Sequence, residues 1–276
     1  MKVYTIQLEK NYDFLQGGEL MCCLMERPFP EEREWKRPAV IVVPGGGYWH
    51  VSKRESEPIS SAFMALGFQT FILKYLCAPQ GVRYPEQLLE LASAVDYIKT
   101  HAEELHINEK EVFVVGFSAG GHLAGHLSVS YAKIYNLTKK ELDCKPTAVG
   151  LAYPVISYNY GHTGSFDNLL QGYSADEKLS LIEELNLDSQ VTSETPPTFI
   201  WCTAQDTIVP AENTVRYVLA LLKSSVPYES HIYPIGPHGL STGSVELNSF
   251  VEKVPKVSSW VKDCADFFRM YVEEKF

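Results

Sequence analysis

From residue 38 onward the chain alternates short strand-like runs with helical spacings, and this alternation limits its fold more than any other feature. The strand-like runs lie at 39–43, 69–75, 112–116, 148–153, 198–203 and 229–233. They read as apolar on both faces, which predicts strands covered by helices on each side. Helical spacing separates them, at about 58–66, 85–105, 119–132, 175–185, 212–223 and 257–272. The clearest helix opens on Pro85, a residue suited to a first turn. Its apolar stripe is Leu88, Leu91, Ala92, Val95, Ile98, Ala102 and Leu105, while Glu86, Glu90, Asp96, Lys99 and Glu103 fall mostly off it. Two earlier runs, 3–8 and 19–25, predict a hairpin joined through Gly17-Gly18. The pattern predicts an α/β fold: a mainly parallel central sheet, helices on both faces, and chemistry at the carboxyl ends of the strands.

Neither a repeat nor a polar linker interrupts this order, so residues 1–276 are expected to form one domain. The stretch 155–196, between the sixth and seventh strands, is a short insertion containing Tyr158, Tyr160, Phe166 and Tyr173. It reads equally as a small lid or aromatic rim and as an extra helix with packed aromatics. The net charge of −10 argues against a nucleic-acid partner, because a phosphate backbone would be repelled. The first residues show no apolar core of a secretory signal, and no stretch approaches the ~20 apolar residues of a membrane span. A cytoplasmic location without membrane association is therefore expected. Cys22, Cys23, Cys77, Cys144, Cys202 and Cys264 lack CxxC spacing, and most lie in apolar runs, which predicts buried free thiols.

The run 112–115 leads directly into Gly116-Phe117-Ser118-Ala119-Gly120-Gly121, followed by a helical pattern through Leu123, Leu127 and Tyr131. This is G-x-S-x-G between a strand and a helix. A turn that sharp brings the residues two before and two after the serine into contact, so both must be small. Ser118 is pushed out of the bend above a helix N-terminus, whose partial positive charge favours an anion. Ser118 is thus the candidate nucleophile. His122 and His126, four residues apart on that helix, do not form a zinc pattern, since Leu123 stands where a metalloprotease helix has glutamate. They are expected to pack or to face solvent, and no metal is expected.

A serine attacking an ester generates an oxyanion, which needs preorganised N–H donors. Ala119 is expected to supply one, and the loop Pro44-Gly45-Gly46-Gly47-Tyr48-Trp49 after an early strand is expected to supply more through Gly46 and Gly47. The loop lacks the Gly-Lys-Ser/Thr of a phosphate loop, and no helix opens directly from it, so no nucleotide cofactor is expected. Asp206 follows the strand at 198–203, and His238 follows the strand at 229–233. The order Ser, Asp, His suits a triad in which His238 moves the proton and Asp206 holds its tautomer. His231 and Asp167 are the nearest competitors for these roles, but one lies within a strand pattern and no strand leads into the other. Tyr48, Trp49, Phe117 and Phe166 are the candidate substrate contacts, with Trp49 the foremost candidate for an aromatic wall.

The chain resembles the acetyl-xylan-esterase-like branch of the α/β-hydrolases, which includes bifunctional feruloyl/acetyl xylan esterases. The resemblance rests on Pro44–Tyr48, Arg54-Glu55-Ser56-Glu57-Pro58-Ile59, Gly116–His122, Tyr153-Pro154-Val155-Ile156-Ser157, 162–170, 206–210 and His238-Gly239-Leu240. It implies a Ser118–His238–Asp206 triad, no cofactor, and short-acyl esters, often acetyl groups on sugars, as substrates. Pro44 stands where many related esterases have histidine, which leaves the glycine backbone intact. Cys202 stands where relatives often have histidine, which implies a local difference in the pocket. An amide hydrolase of peptidase or arylformamidase type would use the same three side chains. A non-catalytic ligand receptor on the same scaffold would not need them.

Overall fold

Every second residue of the inner strands points to a different core, and this separation builds the layers of the molecule. In β3 (Arg37–Val43), Ala39, Ile41 and Val43 face one hydrophobic cluster while Val40 and Val42 face the other. In β5 (Ile107–Phe117), Val112 and Val114 face the first, and Phe113, Val115 and Phe117 the second. The remaining strands are β1 (Lys2–Gln7), β2 (Glu19–Leu24), β4 (Gln69–Lys74), β6 (Val149–Ala152), β7 (Thr198–Thr203) and β8 (Tyr228–Tyr233). The computed structural model describes residues 1–28, 35–248 and 255–272, and among these the eight strands form one sheet of order β1-β2-β4-β3-β5-β6-β7-β8. From β4 to β8 all neighbours run parallel, whereas β2 is antiparallel to both β1 and β4.

The helices are α1 (Glu57–Ala65), α2 (Glu86–Thr100), α3 (Ala119–Ser130), α4 (Ile134–Thr138), α5 (Thr163–Leu169), α6 (Ala175–Leu185), α7 (Glu212–Lys223) and α8 (Trp260–Arg269). Phe63 of α1 and Trp260, Cys264 and Phe268 of α8 cover one face of the sheet. Leu88, Leu91 and Val95 of α2, Leu123 and Leu127 of α3, and Tyr217 and Leu221 of α7 cover the other. The expected parallel sheet with helices on both faces is the observed one. Parallel strands all end at one edge, which therefore receives the loops after β3, β5, β6, β7 and β8. The chain crosses from β4, on one side of β3, to β5 on the other, and such a reversal opens a crevice above the strand ends.

Three local expectations change. The first two strands do pair, with Lys2 opposite Leu24 and Gln7 opposite Glu19, but no tight turn joins them. Residues 8–18 form a longer connection that buries Leu8 and Leu15. That connection and the end of β4 lie over α2, so Glu86 and Glu90 are buried rather than on a wet face. Their carboxylates accept from backbone amides, Glu86 from Gln16 at 2.6 Å and Glu90 from Leu76 at 2.9 Å. Thirdly, β8 is an edge strand, and most of its residues are only half-buried or exposed. All six cysteines are buried and unpaired, as their apolar surroundings imply.

Phe268 stacks on Phe113 at 4.5 Å between ring centroids and also meets Phe63 and Phe68, which locks α8 onto the sheet. Phe268→Ala is expected to cost about 3–5 kcal/mol of stability. A lowered urea midpoint with an unchanged slope is the measurement that checks it.

Candidate active site

The sharp turn between β5 and α3 depends on the absence of side chains at its two hinge glycines. A Cβ on Gly116 would lie 2.3 Å from the Gly120 carbonyl oxygen, and one on Gly120 would lie 2.2 Å from the Val43 carbonyl oxygen. Neither is sterically possible, so α3 sits against the ends of β3 and β5 only because both residues are glycine. Ser118 at the apex takes φ 52°, ψ −117°, a strained conformation for a residue with a side chain. Its own amide donates to Ala152 O at 3.0 Å, which ties the bend to the end of β6.

The loops after β7 and β8 bring the expected acid and base to that apex. His238 Nε2 is 2.8 Å from Ser118 Oγ, and His238 Nδ1 is 2.6 Å from Asp206 Oδ2. The Asp206 side chain is fully buried. Its Oδ1 accepts from the amides of Ile208 and Val209, each at 2.9 Å, so the turn after β7 orients the carboxylate. A carboxylate only accepts, so Nδ1 of His238 carries the proton and Nε2 accepts from the Ser118 hydroxyl. The Tyr153 ring meets the imidazole in a T-shaped arrangement, with centroids 5.0 Å apart. The competing residues lie elsewhere: His231 pairs with Glu229 on β8 at 2.8 Å, and Asp167 lines a separate groove beside Tyr158 and Leu179.

The glycine loop after β3 closes the other side. Gly46 and Gly47 have φ of 125° and 64°, and a Cβ on Gly46 would lie 1.9 Å from the His50 carbonyl oxygen. Gly46 O accepts from Trp49 N and His50 N, while Gly47 O accepts from Asn168 Nδ2 at 2.8 Å. The amides of Gly46 and Gly47 make no hydrogen bond among the described residues, and both glycines line the Ser118 cavity. Gly45 is different, because its amide donates to Glu55 Oε2 at 2.8 Å. Ahead of these glycines, Tyr75 Oη donates to Pro44 O at 2.8 Å.

Glu55 is a structural centre that sequence reasoning met only inside a matched motif. Its carboxylate is buried and accepts from Gly45 N on one oxygen and Tyr153 Oη on the other, the latter at 2.7 Å. Tyr153 Oη accepts from Ser241 N at 2.9 Å, just beyond His238. One side chain thus joins the glycine loop, the end of β6 and the loop carrying His238. Nothing in the local pattern distinguishes Glu55 from the exposed Glu57.

These groups surround an open cavity of about 370 Å³. Of the four aromatic residues expected to line it, only Trp49 does, with 57% of its surface exposed. Tyr48 is buried, with its hydroxyl 2.8 Å from His122 Nδ1. Phe117 points into the core beneath the elbow against Tyr153 and Trp260, and Phe166 packs on His122 and Tyr158. Their apolar surface is spent on packing, so the expectation of substrate contact is corrected for all three. Cys202 is likewise buried in the core and does not line the cavity. In the insertion, Arg216 lies over the Tyr160 ring and Arg83 over the Tyr173 ring, at 3.4 and 3.9 Å, so these aromatics are packed. The cavity wall contains instead His162, Asn168 and Ile208. His122 and His126 are both buried, and no cluster suited to a metal ion occurs among the described residues.

Strand order, elbow and glycine loop together define an α/β-hydrolase. A family profile described as BD-FAE matches residues 27–221, and the chain belongs to that family. Endo-1,4-beta-xylanase B of Butyrivibrio fibrisolvens is 35% identical over 219 residues, covering 78% of this chain and 34% of that protein. An acetylxylan esterase of Xylanibacter ruminicola is 30% identical over 250 residues, covering 88% of this chain and 47% of that protein. The chain thus spans between about a third and a half of the length of these curated relatives. The crystal structure of an acetyl ester-xyloside bifunctional hydrolase from Caldicellulosiruptor lactoaceticus superposes with a TM-score of 0.81 at 32% identity, covering 97% of this chain and 96% of that one. No helix among the described residues is long and apolar enough to cross a membrane.

His122 also links the site to the insertion, since its Nε2 is 3.0 Å from Leu185 O. Burial pushes its imidazole down to about 4. Between about pH 6.5 and 4 the unfolded chain therefore takes up a proton that the folded chain does not. Stability rises with pH through that window and is lost as pH falls, by up to about 1.4 kcal/mol per pH unit from this group. Urea midpoints measured from pH 4 to 7 are expected to rise with pH, and His122→Gln is expected to reduce the slope, the remainder coming from the buried His126, whose pKa burial lowers in the same way.

Proposed function

We propose that the chain is a serine carboxylesterase that removes short acyl groups, acetyl foremost, from sugars or xylo-oligosaccharides. The observation that carries the reading is the continuous Ser118–His238–Asp206 hydrogen-bond chain, at 2.8 and 2.6 Å, opening onto a cavity flanked by free glycine amides. The similarity to an acetylxylan esterase of Xylanibacter ruminicola and an acetyl ester-xyloside bifunctional hydrolase of Caldicellulosiruptor lactoaceticus favours acetyl esters of sugars as the substrate class. The overall negative charge suits a neutral sugar ester and gives no attraction for a nucleic acid.

The chemistry follows from the proton positions. Ser118 Oγ transfers its proton to His238 Nε2 and bonds to the ester carbonyl carbon. The carbonyl oxygen becomes an oxyanion, held by the amides of Gly46, Gly47 and Ala119, with the N-terminus of α3 adding favourable potential. Asp206 stabilises the imidazolium through Nδ1–H. As the tetrahedral intermediate collapses, the ester C–O bond breaks and the alcohol leaves with the proton from Nε2. Water then repeats the sequence on the acyl-serine, releasing the carboxylic acid and restoring Ser118. Glu55 acts as a positioning residue, because it consumes the Gly45 amide and so directs those of Gly46 and Gly47 toward the cavity.

An amide hydrolase would use the same groups, and substrate profiling separates the two. Acetylated xylo-oligosaccharides and p-nitrophenyl acetate are expected to turn over faster than aminoacyl amides, and the reverse order would refute the esterase reading. Wild-type protein is expected to be labelled by a fluorophosphonate probe and Ser118→Ala not to be. An unlabelled wild type would favour a ligand receptor. Ser118→Ala and His238→Ala are each expected to lower kcat by at least about 10³-fold. Glu55→Gln places a donor against one of two groups that need an acceptor. It is expected to lower kcat by about 10- to 100-fold with little change in KM, read from steady-state kinetics.

A further inference from the structure

Several polar side chains that the hydrolytic steps do not use line the Ser118 cavity, among them His50, Ser52, His162 and Asn168, and His162 lies against the glycine loop. His162, at the start of α5, lines the cavity together with Gly47, Ser118 and His238. Its Cε1 is 3.6 Å from the point where a Cβ on Gly47 would stand, so the imidazole lies directly beside the oxyanion loop. Nδ1 is fixed by the buried hydroxyl of Ser165 at 2.8 Å, whereas Nε2 makes no hydrogen bond with any described residue. The ring is therefore oriented by one nitrogen and presents the other, unused, at a half-buried position. Desolvation lowers its pKa, and the neighbouring charge of His238 lowers it further. A neutral His162 adds no second cation beside the imidazolium that His238 forms in the reaction. His162 and His238 line the same cavity, the one into which a leaving alcohol is released.

A neutral imidazole with one nitrogen occupied offers a single polar function. If Ser165 donates to Nδ1, Nε2–H is a donor; if it accepts, Nε2 is an acceptor. A hydroxyl matches either tautomer, because it both donates and accepts. Neither an ether oxygen nor an ammonium group does. The same cavity is lined by Trp49, whose exposed indole provides an apolar face of the size of a sugar ring.

We propose that His162 recognises a free hydroxyl adjacent to the acylated position of the leaving sugar, with Trp49 as the face on which the sugar ring lies. The inference rests on the carbohydrate-esterase reading above and makes it specific: selectivity resides in the alcohol, not only in the acyl group. The insertion between β6 and β7 is then the wall that reads the leaving group. Asn168 on the same helix holds Gly47 O, so recognition and the oxyanion loop share one support.

The test is a double cycle on kcat/KM, using a methyl xyloside monoacetate, its analogue lacking the vicinal hydroxyl, and phenyl acetate, with wild type and His162→Phe. Wild type is expected to lose about tenfold on the deoxy analogue, as for a hydrogen bond of ordinary strength. His162→Phe is expected to lose about tenfold more on the hydroxylated sugar ester than on phenyl acetate, and to be insensitive to the missing hydroxyl. His162→Asn, which keeps a polar tip, is expected to recover part of the discrimination. Trp49→Ala is expected to raise KM for both sugar esters by about fivefold. Losses that simply multiply would overturn the proposal. So would a wild type indifferent to the deoxy substitution, an outcome that no folding defect of a variant can produce. A wild type that hydrolyses phenyl acetate but neither sugar ester would instead refute the carbohydrate reading, and the hydroxyl subsite with it.

Discussion

The close approach of α3 to the ends of β3 and β5 is the contact on which the site depends. It exists because Gly116 and Gly120 have no side chains where a Cβ would come within 2.3 Å of backbone carbonyl oxygens. That approach forces Ser118 into its strained apex, lifts the hydroxyl above the sheet and sets the N-terminus of α3 beneath it. It also brings the turn alongside the loop that follows β3, so that the hydroxyl and the free glycine amides share one cavity. Widening this contact by a methyl group would move all of them at once.

A second level of support comes from elements remote in sequence. Glu55 clamps Gly45 and Tyr153, and through Tyr153 reaches the amide of Ser241 beyond His238. The insertion between β6 and β7 supports the glycine loop from the other side. Asn168 holds Gly47 O directly, and Leu185 O holds His122, which in turn engages the hydroxyl of Tyr48. The loop that carries the unpaired amides is therefore braced from two directions. Preorganised donors gain their effect by not having to reorient as charge develops, and such bracing is what that requires.

Much of this was legible in the chain because it follows from local rules. Strand-like runs separated by helical spacing specify layers, and a G-x-S-x-G between a strand and a helix specifies a bend. An aspartate and a histidine after consecutive strands fall at the same sheet edge whenever those strands run parallel. The misreadings share one cause. Tyr48, Phe117 and Phe166 lie near the motifs in sequence, but nearness along the chain does not say on which side of a loop a ring will fall. Glu86 and Glu90 looked solvent-facing by helical period, yet the connection between β1 and β2 folds over them. Glu55 and His162 carry no local signal, since a buried carboxylate and an oriented imidazole are created by partners far along the chain.

The sequence alone determined the layer architecture, the elbow serine and the placement of Asp206 and His238 after consecutive strands, because each depends on periodicity or on the steric demands of a few adjacent residues. The tertiary structure alone decided which aromatic faces the cavity, which amides remain free, and which side chains hold the glycine loop. Those outcomes depend on which surfaces meet once strands and helices are packed. Burial converts Tyr48 and Phe166 into core and leaves Trp49 and His162 at the cavity, and residue type by itself carries no record of that division.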